Sequence, residues 1–210
     1  MQNESLAIAI ALIAAYLLGS IPSAYIVGRL RKGIDIRQVG SRNMGAMNVF
    51  YNVGFFYGLL VLLTDLGKGA ATVALARYWL EVPVSVELIA GAVAVLGHSF
   101  PVWLRFRGGK GGAPLIGTLI FFMPWGLAIA FPLFALLTLL TRFPTLSYSL
   151  ALLTFPFVAW LQYGNGDYVL YSSLMLLIPF IRYIPRIKEM RTRGGSWKHV
   201  VLRRNIKDRL

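Results

Sequence analysis

Residues 113–141 read APLIGTLIFFMPWGLAIAFPLFALLTLLT, a run without a single charged side chain. A bilayer core needs about 20 apolar residues per helical crossing. This run is too long for one straight crossing, and it carries Pro124 and Pro132. Proline removes a backbone donor and breaks or kinks a helix. The stretch is therefore one long kinked span or two short ones meeting near Met123–Trp125. Which it is decides the topology of the whole chain.

Working outward, similar runs lie at 5–28, 54–80, 86–104, 145–162 and 168–183, the last two parted by the turn signal Gly164-Asn165-Gly166-Asp167. Lysine and arginine placement chooses between the options. With two short spans there are seven crossings. The segments 29–53, 105–112, 142–144 and 184–210, together with Arg182, then share one side and hold 19 of the 21 basic residues. The opposite segments hold Glu4, Glu81, Glu87 and Asp167 and no lysine or arginine. This is the positive-inside asymmetry. A six-span reading would place the basic tail opposite the basic loops. The expected fold is an all-α, polytopic membrane helix bundle of about seven transmembrane helices, with an extracytoplasmic N-terminus and a cytoplasmic C-terminus.

Composition agrees. The chain of 210 residues is 57% hydrophobic and 14% charged, with a mean hydropathy of +0.66. A soluble domain of this size needs more polar surface. The N-terminal run carries Glu4, lacks a basic n-region and is too long for a signal-peptide core, so it reads as a mature membrane helix. Net charge is +13, but no helix-turn-helix, RNA-binding or zinc-finger pattern accompanies it. No nucleic-acid partner is expected. The tail at 186–210 reads as an electrostatic anchor on anionic lipid.

Candidate chemistry sits in three places. Residues 39–48, Val-Gly-Ser-Arg-Asn-Met-Gly-Ala-Met-Asn, interleave Gly40 and Gly45 with Ser41, Arg42, Asn43 and Asn48. Turns of this kind form anion-binding nests, and Arg42 adds a bidentate grip on phosphate. Residues 97–112 run Gly-His98-Ser-Phe-Pro into Arg105-Phe-Arg107-Gly108-Gly109-Lys110-Gly111-Gly112. Glycines around Lys110 let the backbone approach an anion closely. A plain positive-inside anchor needs no such glycine density. The third place is Asp65-Leu-Gly-Lys68-Gly69, inside a span. There an Asp and a Lys each cost about 2.5–3.5 kcal/mol to insert. At i, i+3 they share a face and can pair, either as a structural ion pair or in contact with ligand.

Several chemistries are argued against. The chain has no Gly-x-Ser-x-Gly elbow and no P-loop spacing. His98 has no aspartate four or five residues on. Two histidines and no cysteine argue against zinc or two-metal catalysis. No metal and no cofactor is expected.

These motifs together resemble the bacterial acyl-phosphate-dependent glycerol-3-phosphate acyltransferases. That family carries Gly-Ser-x-Asn-x-Gly-Ala-x-Asn (here 40–48), Asp-x-x-Lys-Gly (65–69), and Gly-His-x-Phe-Pro leading into Phe-x-Gly-Gly-Lys-Gly (97–101 and 106–111). The resemblance covers the chain well to about residue 150. It implies an acyltransferase-like transmembrane domain over residues 1–185 in a bacterial inner membrane. It further implies transfer of a fatty acyl group from acyl phosphate to the sn-1 hydroxyl of glycerol 3-phosphate, giving lysophosphatidic acid. Ser41, Asn43 and Lys110 are then the catalytic candidates. Gly40, Arg42, Gly45, Asn48, Asp65, Lys68, His98, Arg107, Gly108, Gly109, Gly111 and Thr145 are the substrate-binding ones, with His98 orienting the second loop. An acyl-phosphate-forming enzyme is the candidate partner. The chain departs from the family pattern at Arg42 (usually Gly), Met47 (Thr), Pro114 (Thr), Tyr183 (His) and Arg186 (Asn). Those departures keep a second reading open, a non-catalytic or transport paralogue that binds a phosphorylated lipid or metabolite.

Overall fold

The computed structural model describes residues 2–203. Arg204, Lys207 and Arg209 of the basic tail lie outside the described residues. All regular structure among the described residues is helical, and the chain is an integral, multi-pass membrane protein. Five helical segments are long and apolar enough to cross a bilayer, 3–32, 55–79, 84–104, 144–161 and 166–194, and two shorter apolar helices lie between them.

Those two cover residues 113–141. α6 (Gly112–Phe122) and α7 (Gly126–Thr141) are separate helices with the break at Met123–Trp125, where Pro124 has no N–H to give. Pro132 stays inside α7. α6 is about 16 Å long at 1.5 Å per residue.

The chain divides into two compact units at Phe121/Phe122. The first begins with α1 (Gln2–Ser20). Large apolar side chains at Leu6, Ile10, Ile13 and Leu17 are exposed, while Ala11 and Ala15 are buried. A helix that turns its bulk outward and its small residues inward suits lipid, where close backbone approach drives association. α1 crosses α5 (Val84–Ser99) in this way. A Cβ on Gly19 would strike the Ala94 carbonyl, and one on Gly97 would come within 2.5 Å of the Tyr16 carbonyl. α4 (Phe55–Ala74) meets α6 similarly, through Gly69 on the Pro114 carbonyl and Gly117 on the Leu66 carbonyl. The α4–α6 seam fixes the start of α6, directly after the Lys110 loop.

Pro22 ends α1 and precedes α2 (Ser23–Lys32). α2 stops at Gly33, whose left-handed φ of 65° lets its N–H reach the Arg29 carbonyl. A single 3-10 turn (Ile36–Gln38) and α3 (Ala46–Asn52) follow. Beneath them Ala24, Ile36, Met44, Val49, Val53, Val61 and Leu104 form an apolar base, so the first loop rests on its own core. α4 continues into a π turn (Leu75–Trp79), where Arg77 pairs with buried Glu87 at 2.7 Å.

The second unit holds the rest of the bundle, α7, α8 (Pro144–Leu152), α9 (Thr154–Leu161), α10 (Gly166–Gly194) and α11 (Trp197–Val201). α10 is longer than a bilayer crossing requires. It continues as helix past Arg186 despite Pro179 and Pro185. The tail then folds back. The Arg203 N–H donates to the Thr141 carbonyl at 3.0 Å, and its guanidinium sits 3.5 Å over the Phe143 ring. Val200 is buried with Phe143 and Met190. The start of the tail is therefore packed against protein as well as charged.

Candidate active site

The first loop is organised from inside by Asn48. Its amide donates to the carbonyls of Ile36 (2.8 Å), Val39 (3.0 Å) and Asn43 (3.0 Å). Its Oδ1 accepts the Ser41 N–H at 3.1 Å and the Asn52 amide at 2.9 Å. Asn48 is buried, and its polar atoms serve the loop. Gly40 has a left-handed φ of 57°, and a Cβ there would come within 2.5 Å of Asn48 Oδ1 and Asn52 Nδ2. Arg42 shares the left-handed conformation with a φ of 56°, and its N–H closes the turn on the Val39 carbonyl. The N–H groups of Ser41 and Arg42 thus point into the loop, unlike the nest expected there. What the tip presents outward is the Ser41 and Arg42 side chains, with Asn43 half-buried beside them.

The second loop is folded back onto the end of α5. The Gly109 N–H donates to the His98 carbonyl at 3.1 Å and the Gly108 N–H to the Ser99 carbonyl at 3.2 Å. Arg105 and Phe106 reverse the chain with left-handed φ of 53° and 59°, a conformation that is costly for non-glycine residues. Gly111, with φ 83°, then turns the chain into α6. Lys110 is half-buried between that reversal and the first turn of α6, and Arg107 is exposed. The N–H groups of Gly112 and Ala113 open the helix, so the positive end of its dipole follows Lys110 directly in the chain. The Gly108 and Gly109 N–H groups are taken by the end of α5, so it is the helix end and the lysine that suit a phosphate.

His98 is where the motifs meet. A Cβ on Gly109 would collide with His98 Nε2 and come within 2.8 Å of the Met44 carbonyl of the first loop. On its other edge, His98 Nδ1 stands 3.7 Å from Asp65 Oδ1. Asp65 in turn pairs with Lys68 at 3.0 Å, both buried, and accepts the Ser23 hydroxyl at 2.5 Å. Lys68 also donates to the Ile21 carbonyl at 3.0 Å, at the break before Pro22. The ion pair is thus internal, and its contacts join α2, α4 and the end of α5. Of the expected residues, Thr145 belongs to the second unit, on the first turn of α8.

Sequence reasoning passed over Asp35 and Arg37. Asp35 caps the 3-10 turn through the Arg37 N–H and takes a two-pronged guanidinium, Nε at 3.0 Å and Nη2 at 2.8 Å. The Arg37 hydrogen bonds hold the Asp35 carboxyl below its usual value, against burial, and Asp35 raises Arg37 in return. Arg37 Nη1 also reaches the Leu104 carbonyl at 3.4 Å, tying the entry of the first loop to the second. The sequence signal was Asp-Ile-Arg, an N-cap followed two residues on by a base.

A polytopic helical membrane protein with two glycine-rich basic loops joined at a buried histidine is the class this defines. Residues 9–193 match the family model described as "Glycerol-3-phosphate acyltransferase". A relative from Dehalococcoides mccartyi, "Glycerol-3-phosphate acyltransferase 2", is 50% identical over the full length of both chains. Another, "Glycerol-3-phosphate acyltransferase" of Bacillus subtilis, is 40% identical over 84% of this chain and 89% of its own. Among solved structures, PlsY, "an integral membrane glycerol 3-phosphate acyltransferase" in its glycerol 3-phosphate form, aligns with a TM-score of 0.80 at 30% identity, covering 89% of this chain and 92% of its own. A lysophosphatidic acid form of PlsY aligns with a TM-score of 0.78. The chain belongs to the glycerol-3-phosphate acyltransferase family.

Proposed function

We propose that this chain moves a fatty acyl group from acyl phosphate to the sn-1 hydroxyl of glycerol 3-phosphate, releasing lysophosphatidic acid and inorganic phosphate. The observation that carries the reading is the convergence at His98, which sets the first loop and the Lys110 loop against one another. Two anionic substrates need two adjacent anion grips, and little else. Acyl phosphate is already activated. The sn-1 oxygen attacks the acyl carbon, the bond from that carbon to the phosphate oxygen breaks, and the hydroxyl proton leaves with the phosphate. No protein base is required. Lys110 with the α6 N-terminus holds one phosphate, while Ser41, Arg42 and Asn43 hold the other. Charge growing on the attacked carbonyl is met by the same fixed donors. Arg107, exposed on the second loop, is assigned to the approach of substrate.

The basic loops face the cytoplasm of a bacterial inner membrane in this reading, with the N-terminus outside, because the lysines and arginines are so unevenly placed. An acyl-phosphate-forming enzyme would supply the donor. Purified protein given palmitoyl phosphate and labelled glycerol 3-phosphate is expected to form labelled lysophosphatidate, with no comparable turnover from palmitoyl-CoA. Equal rates from both donors would contradict the choice of donor. Uptake of glycerol 3-phosphate into sealed vesicles without acyl transfer would favour the transport reading.

A further inference from the structure

The Asp65 carboxylate is fully buried, yet its two oxygens are not treated alike. Oδ1 takes the Ser23 hydroxyl and the Lys68 ammonium and faces His98 Nδ1. Oδ2, also buried, has no hydrogen-bond partner among the described residues. A carboxylate in this setting is costly to hold, and a helix-to-helix ion pair alone does not explain why three elements are gathered on one oxygen. Two of those elements lead into the candidate loops. Ser23 opens α2, which runs into the first loop. His98 ends α5, and its carbonyl and that of Ser99 hold the Gly109 and Gly108 N–H groups. The imidazole itself fills the space a Cβ on Gly109 would take.

We propose that Asp65 is a positioning residue, holding the His98 imidazole against Gly109 and so setting the backbone that presents Lys110, without touching substrate. This rests on the acyltransferase reading only in its kinetic consequence. At 3.7 Å, beyond hydrogen-bond length, the carboxylate acts on His98 Nδ1 through its charge, which favours the tautomer with its proton on that nitrogen. The Nε2 edge is then the one turned to the loop. Lys68 and Ser23 hold the carboxylate in place.

The test uses Asp65→Asn, which keeps the shape but drops the charge, and His98→Asn, which leaves the Asp65–Lys68 pair intact. Amide exchange of the segment 105–112 is expected to speed up about tenfold in both, with α1 unchanged in both and α4 unchanged in His98→Asn, which leaves the buried ion pair whole. The kcat for acyl transfer should fall about tenfold, with KM for glycerol 3-phosphate within about twofold. In the double variant, exchange of 105–112 should be no faster than in His98→Asn alone, because on that loop the two act as one unit. Unchanged loop exchange in both variants overturns the proposal. So does a raised KM at intact kcat, the mark of direct substrate contact, and so does faster exchange throughout α1–α5 in His98→Asn, the mark of a general structural role. If the parent chain transfers no acyl group, the function reading fails, and loop exchange still decides the placement of Asp65.

Discussion

At Gly109 one methyl group would have to share space with His98 Nε2 and the Met44 carbonyl. A carbonyl cannot move aside as a flexible side chain can. Gly109→Ala is therefore expected to cut acyl transfer by about tenfold or more while the helices keep their far-ultraviolet signal. Normal turnover in that variant would mean the loops are not held as described. Asp35 gives a prediction in pH. Its folded pKa is depressed below the ordinary 3.8, so the stabilisation is complete above the unfolded value and disappears as pH falls through the folded one. Melting temperatures of the parent and Asp35→Asn should differ by a constant amount from neutral pH to about 5 and converge in stronger acid. A gap that widens in acid would reverse the assignment. Much of this scale was legible. The Gly40, Asn48 and Lys110 motifs stand out by residue type and spacing. That Asn48 spends its polar atoms on Ile36, Val39 and Asn43 was not legible, because a side chain's partners across several residues are set by the fold.

The helices are held by backbone-to-backbone seams, and one glycine of α6 and one of α4 separate the roles. Gly117 lies on the Leu66 carbonyl, while Gly67 has nothing within 4 Å of where its Cβ would be. Gly117→Val should lower thermal stability in detergent by about 1–3 kcal/mol through overpacking. Gly67→Ala should leave it unchanged or raise it by about 0.5–1 kcal/mol, as expected for a glycine on an open helix face. Equal behaviour of the two would dismiss the α4–α6 seam. Sequence patterning located the break at Pro124 because that proline lies mid-run, where a missing donor interrupts the ladder. It did not show that the helix begun near 145 ends and restarts at Leu153. Pro156 sits in the first turn of α9, where a proline costs little. Nor did it show α10 continuing through Pro179 and Pro185, since membrane helices tolerate prolines that soluble ones do not.

On the scale of the molecule, the three matched motifs all fall in the first unit, and Thr145 and the packed start of the tail fall in the second. The charge asymmetry that organises the topology belongs to both and is read from the sequence without any structure. A reporter fused after residue 210 should report cytoplasmic, and one in the 163–167 turn extracytoplasmic. Both on one side would end the seven-span account. What no pattern could give is the meeting of residues 44, 65, 98 and 109 around one imidazole, because sequence separation says nothing of which helix ends adjoin. The claim that this meeting place builds a phosphate-binding, acyl-transferring site turns on Lys110. Its kcat/KM with palmitoyl phosphate and glycerol 3-phosphate, measured for Lys110→Ala beside Lys188→Ala on the exposed face of α10, is the direct test. A charge-assisted hydrogen bond to phosphate contributes about 1.5–3 kcal/mol. Lys110→Ala should therefore lose about tenfold or more and Lys188→Ala almost nothing. A folded, membrane-inserted Lys110→Ala with full turnover would place the chemistry somewhere else.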